Sequence, residues 1–293
     1  MDRENTGQLM RYATWAAVSV ALVLVITKAI AWWMSGSVAM LGSLSDSFLD
    51  MASSVVTLFA VKAALIPADD DHRFGHGKAE ALAGLFQAAV MVVLSVLLAV
   101  EAVEHFLNPK AYQAPDYVIG VSLLAVVLSF GLVIFQSYVV KKSGSIAIAG
   151  DQLHYTGDLL LNIGVIASAI AAGYGYIYAD AIFAALITFY ILHGAWDVAI
   201  PAIDMLMDKE MGMADEERII AIVAAVPNVL GMHHLKTRAS GRDLFIQMHI
   251  EVDGNITVRE GHSIAEQVEL ALSSQYPQAE ILIHIDPPSS AEN

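Results

Sequence analysis

Long apolar runs follow one another as far as about residue 208, with only short polar interruptions; beyond it the pattern changes to brief alternating stretches. Six runs are long enough to cross a bilayer, whose hydrocarbon core takes about 20 apolar helical residues. They cover approximately 12–34, 38–65, 79–106, 116–140, 146–172 and 177–200, and only Lys28 interrupts the first. The links Ser35-Gly36-Ser37 and Gly173 to Tyr176 are so short that each joins a helical hairpin. Past residue 208, Ala214 to Val226 has a helical pattern, and Met232 to Arg238 reads as a strand. A turn signal follows at Ser240-Gly241-Arg242, then an alternating strand from Leu244 to Val252. Val258 to Tyr276 is amphipathic at helical spacing, and Glu280 to Asp286 forms a last strand. The order αββαβ predicts an open-faced sandwich with its helices on one side of the sheet. The expected architecture is a bundle of six transmembrane helices (1–208) followed by a cytoplasmic α/β domain (209–293).

Composition sharpens this picture. Of 293 residues, 57% are hydrophobic and 15% charged, too little charge to cover a soluble domain, so lipid must serve as solvent. There is no cysteine, so a metal site would have to use His, Asp or Glu. A net charge of −15 argues against binding nucleic acid, which needs basic patches. The first apolar run is too long for a cleavable signal, and more spans follow it. Arg3, Arg11, Arg73, Lys78, Lys141, Lys142 and Lys209 fall on one side of a six-span topology, with only Lys110 on the other. The positive-inside rule then places both termini in the cytoplasm.

An internal repeat points to the chemistry. At an offset of 108 residues, Ser37-Val38-Ala39-Met40-Leu41-Gly42 matches Ser145-Ile146-Ala147-Ile148-Ala149-Gly150. In the same register Asp46 aligns with His154, and Asp50 with Asp158. Each segment opens the middle helix of a three-helix half, so the halves run oppositely through the membrane, as in many transporters. At 1.5 Å per residue, Asp46 and His154 lie about 12 Å from their helix starts, and Asp50 and Asp158 about 18 Å. Entering from opposite faces of a core about 30 Å thick, Asp46 comes level with Asp158, and Asp50 with His154. Both pairs are spaced i, i+4 and so occupy one helical face. Four ligands then converge near mid-membrane, enough for a tetrahedral ion such as zinc. Isolated polar residues satisfied by Lys28 or Lys62 would be the plainer explanation. A charged residue at the centre of a span costs about 2.5–3.5 kcal/mol on insertion scales, which three Asp residues placed for packing alone would not justify.

Leu44-Ser45-Asp46-Ser47-Phe48-Leu49-Asp50 and His154-Tyr155-Thr156-Gly157-Asp158 resemble the cation diffusion facilitator family, and the likeness runs over nearly the whole chain. It implies a homodimer in the bacterial inner membrane that exports Zn2+ in exchange for protons by alternating access. Sites holding only nitrogen and oxygen ligands also admit cadmium or ferrous iron. Asp69, His72 and His76, in the loop after the second run, could bind a further ion, and the resemblance implies that they do. In the tail, Ile281, Ile283 and Ile285 leave His284 and Asp286 on the opposite strand face, and His249 points away from its apolar neighbours in the same way. The resemblance matches His233, His249, His262, His284 and Asp286 to a binuclear cytoplasmic site, with His234 left out. For Lys78 and Asp208 it implies a salt bridge that fastens helices at the dimer junction. The residues after position 208 include six basic and thirteen acidic side chains. Bound zinc would offset the repulsion between two such domains.

A proton-for-metal exchange fits ligands that must lose protons to bind, and the chain has no G-x-x-x-x-G-K-[ST] nucleotide motif. Two other readings stay open: a sensor whose spans merely anchor a zinc-detecting tail, and an intramembrane metalloenzyme. The sensor leaves the mid-membrane ligands without a purpose. The enzyme lacks a His-Glu-x-x-His pair, and four core ligands leave no open position for water.

Overall fold

A computed structural model describes residues 3–36, 38–108, 116–176 and 178–288. Ser37 of the repeat and Lys110, the one basic residue expected on the outer side, lie outside the described residues. Two compact units emerge, one formed by Met1–Ile66 and Ala79–Ile203, the other by Pro67–Lys78 and Asp204–Asn293.

Six long helices account for the first unit: α1 (Arg3–Ser35), α2 (Val38–Ala64), α3 (Lys78–Leu107), α4 (Asp116–Ser143), α5 (Ile146–Gly173) and α6 (Ala179–Leu206). Among the described residues, five of them (α1, α2, α3, α4 and α6) are long and apolar enough to cross a membrane. The sixth, α5, has 28 residues and carries Asp151, His154 and Asp158. Several helices outrun the apolar stretches that announced them. Helix α1 begins at Arg3 rather than near residue 12, and α6 continues through Pro201 to Leu206. Hydropathy marks the part of a helix that lipid would surround, whereas backbone hydrogen bonding carries the helix on into polar sequence.

Packing in this unit relies on small residues, because apolar side chains gain little by leaving one hydrocarbon environment for another. Ala13, Ala17 and Ala21, spaced one turn apart on α1, are fully buried. Helix α1 packs on α2 and α4, and α5 on α4 and α2. Ala88 and Met91 of α3 meet Ile187, Ile191 and Ala195 of α6 around Leu153 of α5. Between α2 and α3, Ser53 donates to Gln87 (2.7 Å), whose amide donates to Thr57 (2.9 Å). All three are buried, so the bond network ties the helices where neither lipid nor water could satisfy them.

The second unit contains α7 (Met213–Ala224), β1 (Gly231–Ser240), β2 (Asp243–Glu251), α8 (Val258–Gln275) and β3 (Ala279–Asp286), in the expected order αββαβ. Strand β1 pairs antiparallel with β2, and β2 parallel with β3, with α8 as the crossover. One sheet face is covered: Ile246, Met248 and Ile250 of β2 are buried with Ile219 and Val223 of α7 and Ile264, Val268 and Leu272 of α8. Thr257 caps α8 in a reciprocal box with Glu260, satisfying two orphan donors of the first turn.

The loop 67–78 belongs to this unit. Phe74 meets Phe245 edge-on at 5.5 Å between ring centres, and the guanidinium of Arg238 lies over both rings. Gly241 sits at φ +61, and a Cβ there would come within 2.9 Å of the Gly77 Cα. Glycine is required at Gly241 by conformation and space, and at Gly77 by space, where a Cβ would overlap the Ser240 carbonyl oxygen.

Candidate metal centres

The two middle helices of the repeat do meet. His154 Nε2 lies 2.9 Å from Asp50 Oδ1 and 3.6 Å from Asp158 Oδ2. One ligand atom from each of Asp50, His154 and Asp158 falls within 4.8 Å of the others. His154 is 3% exposed, so this nitrogen is screened from solvent and faces two carboxylates. A proton there can bridge them, and so can a cation. The His154 Nδ1 atom is buried without a hydrogen-bond partner among the described residues. Asp46, expected as the fourth member, is exposed and stands outside this trio. Of the two nearby lysines, Lys28 donates to the Ser43 carbonyl (3.2 Å), and Lys62 lies over the Trp15 ring.

Sequence reasoning missed the support behind the trio. Asp151, one turn before His154, is 1% exposed and accepts from Ser54 (3.0 Å) and Gln136 (2.6 Å). The Tyr155 hydroxyl lies 2.9 Å from Ser54 and donates to the Ala17 carbonyl (3.1 Å). This network links α1, α2, α4 and α5 at the level of His154. The repeat pairs position 151 with Ser43, so it gave no signal. An acid three residues before a candidate ligand on the same helix was the signal available.

In the loop, Asp69, His72 and His76 also form a trio. Asp69 lies 3.7 Å from His72 Nδ1 and 3.4 Å from His76 Nε2. Its carboxyl is held below the usual carboxylate range, chiefly by the His72 backbone N–H. The rings of His72 and His76 are 4.5 Å apart. Asp69 and His72 are exposed, and His76 is partly buried.

On the uncovered sheet face, Asp286 is the hub. Its carboxylate lies 2.8 Å from His249 Nδ1, 3.3 Å from His233 Nε2 and 3.1 Å from His284 Nε2. Register explains the meeting, since His233 pairs with His249 across β1–β2, and His249 with His284 across β2–β3. The hydrogen bond from His249, then the charges of His284 and its neighbours, hold the Asp286 carboxyl below its ordinary range. Glu251 Oε1 fixes His233 through Nδ1 (3.1 Å), the carboxylate support that orients many metal-binding imidazoles. His262 does not join: it lies on α8 and pairs with Glu266 at 3.5 Å.

Elsewhere in the second unit, Lys78 Nζ and Asp208 Oδ1 are 2.9 Å apart in one chain. Arg238 reaches the same oxygen at 3.2 Å. His105 pairs with Asp180 (2.6 Å), and exposed His193 lies near Asp197 (3.7 Å).

Three polar trios, one of them between helices that share a sequence repeat, narrow the families to consider. A family model of the cation efflux transmembrane domain matches residues 14–207, and one of the cation efflux protein cytoplasmic domain matches residues 212–288. The chain belongs to the cation diffusion facilitator, or cation efflux, family. The cation-efflux pump FieF of Shewanella oneidensis is 40% identical over 278 residues, covering 95% of this chain and 94% of that one. FieF of Yersinia pestis is 41% identical over 283 residues, 94% of each chain. A solved structure of the zinc form of CzrB is 30% identical over 29% of this chain and 99% of its own, with a TM-score of 0.28.

Proposed function

We propose that this cation efflux protein is a proton-coupled antiporter for divalent transition-metal ions. Zn2+ is the first choice of cargo, with Cd2+ and Fe2+ also admitted. It works by alternating access as a homodimer in a bacterial inner membrane, with six spans and both termini in the cytoplasm. The observation that carries the reading is the trio of Asp50, His154 and Asp158. Helix α5 is the sixth span, its polar residues turned toward α2 and α4 rather than lipid.

Asp50, His154 and Asp158 hold the cargo ion, and Asp46, one turn along α2, joins them when the side chains gather round it. Nitrogen and oxygen ligands without sulfur suit zinc among the available metals. The histidine nitrogen must give up its proton to take the ion. On the outer side, protonation of the same groups releases it. Each trip therefore exchanges protons for metal at one place. Membrane potential opposes cation export by about 2.3 kcal/mol per charge per 100 mV, and inward proton movement offsets part of this. The chemistry is transport and not catalysis, so the protein is no enzyme.

Asp69, His72 and His76 form a second, solvent-open site. His233, His249, His284 and Asp286 hold zinc resident in the tail, with His262 reaching that centre only by approaching from another subunit. Zinc there offsets repulsion between acidic tails and tightens the dimer. In inside-out vesicles, metal uptake should stop when a protonophore collapses the proton gradient. Undiminished uptake would contradict proton coupling. A sensor would bind zinc in its tail and carry none, which the same assay reads directly.

A further inference from the structure

We propose that His234 is a fourth protein ligand for one of the tail ions, closing its coordination with His233, His249 and Asp286. This rests on the tail metal site proposed above.

The inference starts from an irregularity in β1. In a regular strand, neighbouring residues point to opposite faces, which would send His234 toward the apolar core. The pairing runs His233 with His249 and then Lys236 with Gln247. Two residues, His234 and Leu235, therefore stand opposite Met248 alone. Leu235 takes the inner position and packs against the core beside Met248. His234 is the extra residue, held at φ +51, a left-handed conformation that only a few per cent of non-glycine residues adopt, His, Asn and Asp most often. Bulges often re-aim a side chain beside a functional site, and here the bulge returns His234 to the open face next to His233.

The ring positions then carry the argument. His233 and His234 have ring centres 5.0 Å apart, His233 and His249 5.2 Å, and His234 and His249 5.2 Å. Two imidazoles on one tetrahedral zinc, at Zn–N distances of about 2.0–2.1 Å, hold their ring centres about 5 Å apart. All three spacings match that value. Atoms of His233, His249 and Asp286 already form a trio, and exposed His234 needs only side-chain rotation to present a nitrogen. His234 and His249 also line one open cavity of about 310 Å³ with His284, Lys236 and Gln247.

Four protein ligands characterise closed, structural zinc sites, whereas three leave a position for water. His234 therefore makes this ion slow to leave, a fixture of the fold rather than a reporter of passing zinc. His284, on the other oxygen of Asp286, is left for the second ion.

The test uses the full-length protein in detergent, loaded with Zn2+ and challenged with excess chelator while released zinc is followed by an indicator. His234→Asn keeps a residue tolerant of the left-handed conformation and removes the imidazole. His234→Gly relieves the backbone as well. Both should speed release of a tail ion and weaken its affinity by at least about 10-fold, while unfolding of the metal-free protein is unchanged or shifted upward. His249→Ala is the reference and should lose tail zinc outright. If both His234 variants bind and release like the parent while His249→Ala loses zinc, the fourth-ligand assignment is wrong. If His249→Ala also behaves like the parent, the tail site itself fails, and this inference with it.

Discussion

The helices of the first unit and the sheet of the second gather candidate metal-binding side chains by different means. In α2 and α5 the helical period does it: residues four apart share a face, and one close approach places Asp50 beside His154 and Asp158. In the tail, pairing register does it: His233, His249 and His284 line up across three strands, and Asp286 lies within 3.3 Å of all three. The helical site is backed by a buried polar network and largely withdrawn from solvent. The sheet site is open, and its order comes from backbone pairing and one carboxylate hub. A helix can thus place ligands where lipid forbids loose ends, while a sheet spreads more ligands over an accessible surface.

The sharpest way to break this comparison is to remove a membrane ligand. Asp50→Ala or Asp158→Ala should cut metal flux in proteoliposomes by about 100-fold or more, the scale of losing an interaction worth roughly 3 kcal/mol. Zinc bound in the tail should be retained. Flux persisting in both variants would place the transport path elsewhere. Next in size is the tail: His249→Ala or Asp286→Ala should lower tail zinc affinity by at least about 10–100-fold in chelator competition. Transport through the trio of α2 and α5 should survive.

A smaller effect is expected behind the helical site. Asp151→Ala leaves the buried Gln136 amide without its acceptor, while Ser54 keeps the Tyr155 hydroxyl, and a stranded buried polar group costs about 1–3 kcal/mol. Thermal unfolding in detergent should move to lower temperature, with Asp151→Asn intermediate. The smallest effect concerns Asp208. The hydrogen bond from Lys78, helped by Arg238, holds its carboxyl below the ordinary value. A depressed folded pKa adds stability above the unfolded value of about 3.9 and loses it as pH falls through the folded one. Asp208→Asn should therefore be slightly less stable at neutral pH, by no more than about 1 kcal/mol for so exposed a pair. That gap should close on acidification below about pH 4. Equal stability at neutral pH would show the pair to be unimportant, and a gap that widened in acid would contradict the depressed carboxyl.

Much of this architecture could be read from the residues. Runs of apolar residues named the helices because lipid exposure demands them, and alternation from Leu244 to Val252 named β2 because one sheet face is covered. The i, i+4 spacing within the repeat foretold that Asp50, His154 and Asp158 would come together. Asp46 was expected to join them, but helical period sets only direction and depth, and Asp46 stays exposed outside the trio. Asp151 went unnoticed because the repeat has serine at the matching position. His234 was set aside because strict alternation assigns it to the buried face, and a bulge is invisible to a two-residue period. His262 matched a family pattern, yet within one chain it lies on α8 beside Glu266, apart from the sheet-face cluster, because a family match fixes a residue's type and not its neighbours.

Anomalous scattering at the zinc edge from crystals of the zinc-loaded protein tests the central claim most directly. A peak should stand between Asp50, His154 and Asp158, and be lost in Asp50→Ala while the tail peaks stay. Strong tail peaks with nothing among those three side chains would contradict it.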